Sequence, residues 1–117
     1  MDDKKQVQIG PREVILVRPA WQECYAIAYL RNGGNPFLLG GAALGLCWQQ
    51  PRPPKTRLHH HRGDILAYGR AVWTELREAG WPMPDLIRAS TTALELCDQG
   101  LVSEEEVAAE AATFREE

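Results

Sequence analysis

The feature that most constrains the fold is an apolar segment at residues 37–48, a run of 12 residues without one polar side chain. Asn35 and Pro36, directly before it, are typical of a helix N-cap and a first helical position. A helix that is apolar on every side has to be covered on every side. We therefore expect this helix at the centre of the molecule. At 12 residues it is too short to cross a bilayer.

Three glycines interrupt this segment, Gly40, Gly41 and Gly45. Each glycine lowers helix propensity by about 1 kcal/mol relative to alanine. We interpret these glycines as positions where a neighbouring helix approaches closely. The spacing of Gly41 and Gly45 also matches the G-x-x-x-G pattern of membrane helix dimers, which remains a weaker alternative.

The N-terminal residues predict a β-hairpin. Val7 and Ile9 alternate with polar residues, Gly10 and Pro11 favour a turn, and residues 14–17 are rich in β-branched side chains. A hairpin of two strands is marginally stable alone. We therefore expect it to dock either on the helices or on another subunit.

The spacing of apolar residues predicts further helices, about five in all. One follows Pro19, one begins at the N-cap Asp64 and stops at Gly80, and one lies between Asp85 and Gly100. The last helix has a capping box formed by residues 103 and 106, and an apolar stripe that ends at residue 114.

The predicted fold is a single α+β domain over residues 1–117, an N-terminal β-hairpin followed by a mainly helical body. Its parts are a hairpin arm (1–18), a helical pair (19–48), a Pro-rich basic loop (49–63) and an acidic helical part (64–117). The basic loop holds three prolines, four cationic residues and three histidines, and no acidic residue. Its prolines exclude a regular helix.

The formal charge of −3 is unevenly distributed. Residues 1–63 carry 9 basic and 4 acidic side chains, whereas residues 64–117 carry 4 basic and 12 acidic ones. We expect this asymmetry to favour head-to-tail contacts between copies of the chain, and hence a homo-oligomer. The acidic half argues against a nucleic-acid partner, although the basic stretch 52–62 stays open as a surface for one.

Little in the sequence predicts an enzyme or a cofactor. Cys24, Cys47 and Cys97 are an odd number of cysteines without a C-x-x-C pair, and all three fall on apolar helical faces. We interpret them as small core residues; Cys47, beside the basic loop, is the one candidate nucleophile. The consecutive histidines 59–61 point in different directions, so a solvated loop is favoured over a metal site.

The first residues also bear on location. Residues 2–6 are polar, and the N-terminus lacks the apolar core of a signal peptide. Scattered cysteines without a disulfide pattern are typical of a reducing compartment. We therefore expect a cytoplasmic protein without a membrane partner.

Two sets of segments carry a resemblance to a known family. The first is the hairpin end Val17-Arg18-Pro19-Ala20-Trp21 and the final helix Val102-Ser103-Glu104-Glu105-Glu106-Val107, which ends at Phe114. The second is Ala42-Ala43-Leu44-Gly45-Leu46-Cys47-Trp48 followed by Asp64-Ile65-Leu66-Ala67-Tyr68-Gly69. In its order along the chain, with a helical body between its two segments, the first set resembles the tail assembly chaperones of tailed phages and prophages. The second set resembles small structural-module proteins of phages.

The resemblance implies a non-enzymatic α+β protein that oligomerises and binds a tape measure protein, before tail tube subunits polymerise. It would act in the cytoplasm of the host cell. The family offers no binding residues that can be transferred to single positions here. The partner-binding candidates are therefore chosen for their chemistry, as large apolar or basic side chains: Trp21, Trp48, Arg52, Lys55, Arg57, Arg62, Trp81 and Phe114.

Overall fold

The computed structural model describes residues 4–99, which form a three-stranded antiparallel sheet and four α-helices. The elements in chain order are β1 (Lys4–Ile9), β2 (Arg12–Val17), α1 (Trp21–Leu30), α2 (Pro36–Cys47), β3 (Trp48–Gln50), a 3₁₀ turn (Leu58–His61), α3 (Ile65–Glu78) and α4 (Met83–Gln99). The α+β class is confirmed, with four helices in these residues rather than about five. The helix predicted around residues 103–114 lies outside the described residues.

Helix α2 occupies the centre, as its apolar sequence predicts. The Asn35 side chain caps it by accepting hydrogen bonds from the backbone N–H groups of Phe37 (2.9 Å) and Leu38 (3.4 Å). Leu39, Ala42, Ala43 and Leu44 are at most 2% exposed, and α2 packs against both α3 and α4. The first turn departs from the prediction, because Phe37 is 45% exposed and stacks on the ring of Trp73 at 4.5 Å.

The glycines of α2 mark the close approach of neighbouring helices, α3 at Gly41 and Gly45 and α4 at Gly40, which confirms their interpretation. A β-carbon on Gly41 would lie 2.7 Å from the carbonyl oxygen of Gly69, and one on Gly69 would overlap the carbonyl oxygen of Leu38. A β-carbon on Gly45 would lie 2.6 Å from side-chain atoms of Tyr68 and Val72. Two helix backbones therefore touch along this line. In the part of the chain that the structure describes, no helix has both the length and the apolarity to cross a membrane.

The sheet has a third strand that the sequence did not predict. Residue 48 was expected to end the central helix and residue 49 to begin the loop, but the chain turns into β3 at Trp48. Strand β3 pairs antiparallel with β2, with Leu16 opposite Trp48 and Ile15 opposite Gln50. The open edge of β2 offers unpaired backbone groups, and their pairing overrides the helical pattern at this point.

The predicted hairpin is confirmed, and it docks on helices of its own chain. Its buried side chains are Ile9, Val14 and Leu16, each 0% exposed, and β1 and β2 both contact α4. At the turn, the backbone N–H of Gly10 donates a 2.7 Å hydrogen bond to Oδ2 of Asp85. The φ of +61° at Gly10 suits glycine, because other residues are strained there.

Candidate functional site

The candidate site begins with three aromatic residues on one side of α1: Trp21, Tyr25 and Tyr29, called here the aromatic face. They follow one another at every fourth position, so they lie on successive turns of one helix side. Their exposed fractions are 60%, 37% and 87%. The rings of Trp21 and Tyr25 meet edge to face, with centroids 6.0 Å apart. Large apolar side chains grouped on a surface are typical of an interaction site.

The orientation of α1 is fixed by its contacts with α4. On the side opposite to the aromatic face, Cys24 and Ile27 are completely buried. Beyond the two ends of α1, Arg31 forms an ion pair with Asp98 of α4, and Nη1 of Arg18 donates a hydrogen bond to the carbonyl oxygen of Gln99 (3.3 Å). These contacts fix the buried side of α1 and the residues beyond both of its ends. The aromatic face therefore points outward.

The basic loop (49–63) is fastened to α3 by Glu75. The carboxylate of Glu75 accepts hydrogen bonds from the backbone N–H groups of Lys55 (2.5 Å) and Thr56 (2.9 Å). Partial burial acts to raise the pKa of this carboxyl, but the hydrogen bonds from Thr56 and Lys55 outweigh it and hold the pKa below its usual value. These bonds fix the loop while the cationic ends of its side chains remain outside.

The structure brings some of the predicted partner-binding residues together. Trp48, Arg52, Lys55 and Trp81 line one pocket of about 170 Å³. Within this group Trp48 is only 4% exposed, and its ring meets Trp81 edge to face at 5.0 Å. The two rings therefore serve mainly to pack β3 against the connector between α3 and α4.

The other predicted residues lie apart from that pocket. Trp21 is on the aromatic face of α1, and Arg57 is exposed in the basic loop, where Nη1 donates a 2.6 Å hydrogen bond to the carbonyl oxygen of Pro54. Arg62 is exposed and follows the 3₁₀ turn with a left-handed φ of 54°. Phe114 lies outside the described residues.

Tyr29 was not predicted from the sequence as a binding residue, although its spacing of four positions from Tyr25 places both on one side of the helix.

The three cysteines form a buried group that the sequence could not place. Cys24, Cys47 and Cys97 come from three different helices, and all are free thiols. The hydrogen bond with Cys47 and the burial of the thiol raise the pKa of Cys97, and burial raises the pKa of Cys24 to about 11. Buried thiols are poor nucleophiles, and Cys47, the candidate nucleophile, is only 1% exposed. The interpretation of the cysteines as core residues is confirmed.

The histidines of the 3₁₀ turn do not converge with other ligands. His59 and His60 are exposed and their ring centroids are 4.1 Å apart, while the ring of His61 lies 5.9 Å from that of Tyr68. Among residues 4–99, no group of three or more His, Cys, Asp or Glu side chains is arranged to hold a metal ion.

The chain was compared with protein-family models, with curated protein sequences and with solved structures, and none of the three comparisons gave a significant match.

Proposed function

We propose that the protein is a non-enzymatic assembly chaperone that binds a partner protein through the aromatic face of α1. The observation that carries this proposal is the exposure of Trp21, Tyr25 and Tyr29 on a helix whose other side is firmly packed. Trp and Tyr dominate the binding energy of protein interfaces. A rigid helix that presents them loses little conformational entropy on binding.

The proposed partner is a helical segment of a tape measure protein, because the sequence segments resemble those of phage tail assembly chaperones. Aromatic side chains at every fourth position fit a partner helix that has its own apolar stripe. Such a contact would shield the apolar stripe of the partner until assembly. A tail tube protein is the second partner that the resemblance suggests.

A co-expression pulldown tests this proposal directly. The bait is the full chain, and the prey is a tape measure protein if the gene neighbourhood supplies one. We expect the parent chain to retain the prey, and Trp21→Ala and Tyr29→Ala each to reduce retention at least tenfold, as for central interface aromatics.

The matched control is Ile87→Ala, since Ile87 is an exposed apolar residue of α4 (47% exposed) that lies off the aromatic face. This variant should retain the prey as the parent does. The proposal fails if the parent retains nothing, or if Trp21→Ala and Tyr29→Ala bind as well as Ile87→Ala.

Self-association is a separate part of the proposal. Residues 4–99 carry 12 basic and 8 acidic side chains, whereas residues 100–117 carry 1 basic and 6 acidic ones. The opposite signs favour contact between the C-terminal residues of one copy and the body of the next. Light scattering should give a mass above 13.1 kDa in low salt, which falls toward that value at high salt. A monomer at both salt concentrations would exclude such an oligomer.

The net positive charge of residues 4–99 also supports a second candidate, a nucleic-acid-associated regulator that uses the basic loop. The quadruple change of Arg52, Lys55, Arg57 and Arg62 to alanine tests it on a DNA column at low salt. Retention of the parent chain and loss of retention by the variant would support this candidate. Failure of the parent chain to bind would remove it.

A further inference from the structure

A cleft of about 610 Å³ opens between α1, the end of α2, the basic loop and the start of α3. Its apolar walls are formed by Leu46, Trp48, Pro53 and Leu58, and four polar side chains reach it from different elements: Glu23, Arg57, His59 and Tyr68. The cleft is within the size range of small-molecule sites, and mostly apolar walls with a few polar groups are typical of them. It is distinct from the aromatic face, which lies on another side of α1.

Tyr68 is the polar group at the base of the cleft. The residue is only 2% exposed, and no described residue forms a hydrogen bond with its hydroxyl. No fully buried side-chain oxygen or nitrogen among residues 4–99 lacks a partner, so this hydroxyl is open to the cleft that Tyr68 lines. Burial raises the pKa of Tyr68 to about 12, so the hydroxyl keeps its proton and both donates and accepts.

Gly45 lets the Tyr68 hydroxyl approach α2 closely. A β-carbon at Gly45 would lie 2.6 Å from the Tyr68 oxygen, closer than a non-bonded carbon can approach. Gly45 itself lines the cleft. The Tyr68 hydroxyl therefore lies against α2 at the base of the cleft, where a molecule in the cleft, water or ligand, supplies its hydrogen bond.

Glu23 places a carboxylate on the α1 side of the cleft. It is half-buried, and partial burial raises the pKa of this carboxyl despite an opposing hydrogen bond with the Ala20 backbone. The ion pairs between side chains of the described residues are Arg31 with Asp98 and Arg88 with Asp85, so Glu23 has no cationic partner among them. A ligand that brings a cation would relieve the cost of burying this charge.

The loop side of the cleft has the opposite charge. Arg57 and His59 lie there, and the guanidinium of Arg57 is near enough to Tyr68 to act on its ionisation. The Pro54 carbonyl occupies Nη1 of Arg57, which leaves the other guanidinium N–H groups available. Hence the cleft offers an anion on one side, a cation on the other and apolar walls between them.

We propose that this cleft binds a small zwitterionic ligand, a free amino acid or a short peptide with both ends unblocked. Its ammonium group pairs with Glu23, its carboxylate pairs with Arg57, and the Tyr68 hydroxyl forms a hydrogen bond to its polar backbone. An apolar side chain of the ligand packs on Trp48 and Leu58. This inference does not depend on the proposed chaperone function, because no residue of the aromatic face takes part in it.

The test is calorimetric titration of the full chain with leucine, dileucine and trileucine, each with free ends, N-acetylated or C-amidated. We expect at least one free-ended compound to bind, and blocking either of its ends to weaken binding tenfold or more, as for loss of a charged hydrogen bond. Glu23→Gln should weaken binding of the free-ended compound tenfold or more. It should also abolish the discrimination against the N-acetyl form.

Tyr68→Phe removes only the hydroxyl and should weaken binding about fivefold, the usual contribution of one neutral hydrogen bond. Glu95→Gln, an exposed glutamate of α4 outside the cleft, is the matched control and should bind as the parent does. Circular dichroism of each variant checks that it has folded. The proposal is overturned if no free-ended compound binds at millimolar concentration, if blocked and free ends bind alike, or if Glu23→Gln binds as the parent does.

Discussion

Helix α1 and the packed pair α2–α3 use aromatic and apolar residues in opposite ways. In the pair, glycines let the two backbones touch, and Trp73 lies 5% exposed with its Nε1–H bonded to the Phe37 carbonyl oxygen (2.6 Å). In α1, no helix of residues 4–99 covers Trp21 and Tyr29, which are 60% and 87% exposed. Apolar spacing alone therefore does not distinguish a core helix from a binding helix. The size of the residues does, because only small residues allow close backbone contact.

The largest difference in stability is expected between substitutions of Trp73 in the packed pair and Trp21 in α1. Trp73→Ala leaves a cavity beside Gly41 and removes the hydrogen bond to Phe37, so we expect a loss of about 3–5 kcal/mol in the free energy of unfolding. Trp21→Ala removes mainly exposed surface and should cost less than about 1 kcal/mol. Urea unfolding followed by far-UV circular dichroism measures both. Equal losses would show that α1 is as firmly packed as the pair.

The next largest effect on stability is expected where α2 and α3 approach each other closely. Gly69→Ala places a methyl group against the Leu38 carbonyl oxygen, so the helices have to move apart, at a cost of about 2–3 kcal/mol. The control is Gly33→Ala, because a β-carbon there meets no atom within 4 Å. We expect this control to change stability by less than about 1 kcal/mol. A tolerated Gly69→Ala would mean that the two helices are not in backbone contact.

The smallest expected effect on stability comes from two carboxyls, that of Glu23 on α1 and that of Glu75 on α3. The raised pKa of Glu23 on α1 means that stability falls as the pH rises above the usual value of 4.5, so Glu23→Gln should raise the Tm at pH 7. The lowered pKa of Glu75 on α3 means that its contribution is present above 4.5 and is lost as the pH falls below it. Glu75→Gln should therefore lower the Tm at pH 7.

Thermal unfolding at pH 3 and pH 7 measures these two shifts. In both variants the difference from the parent should shrink at pH 3, where the carboxyls are increasingly protonated. Shifts of the same sign at pH 7 would contradict the assigned environments of Glu23 and Glu75.

Local signals made half of this fold predictable. Asn35 and Asp64 were recognised as N-caps because capping depends on residues two or three positions away, and Asp64 indeed accepts a hydrogen bond from the Ala67 N–H (3.1 Å). The glycines of α2 were recognised because their cost in a helix needs a compensating contact. The hairpin was recognised from its alternation and turn residues.

The rest of the fold and the candidate site depend on contacts between residues that are distant in the sequence. Strand β3 exists because β2 has an open edge, and no property of Trp48 itself shows that. The outward direction of Trp21 depends on where α4 holds α1. The cleft brings Glu23 and Tyr68 together from two helices and a loop. Nothing in the sequence around either residue indicates that the two lie close together. Charge and periodicity cannot predict such pairs without the fold.

The hydrogen bond between Gly10 and Asp85 has a consequence for synthesis of the protein. The hairpin leaves the ribosome before α4, the helix that contacts both of its strands and begins at Met83. At the usual rates of translation, roughly 4 to 15 seconds pass between the two. During that time Ile9, Val14 and Leu16 lack the cover that α4 gives them, although β2 can already contact β3 and α2. A truncated nascent chain that ends before α4 should therefore be captured by ribosome-associated holdases, whereas a chain that includes α4 should be released.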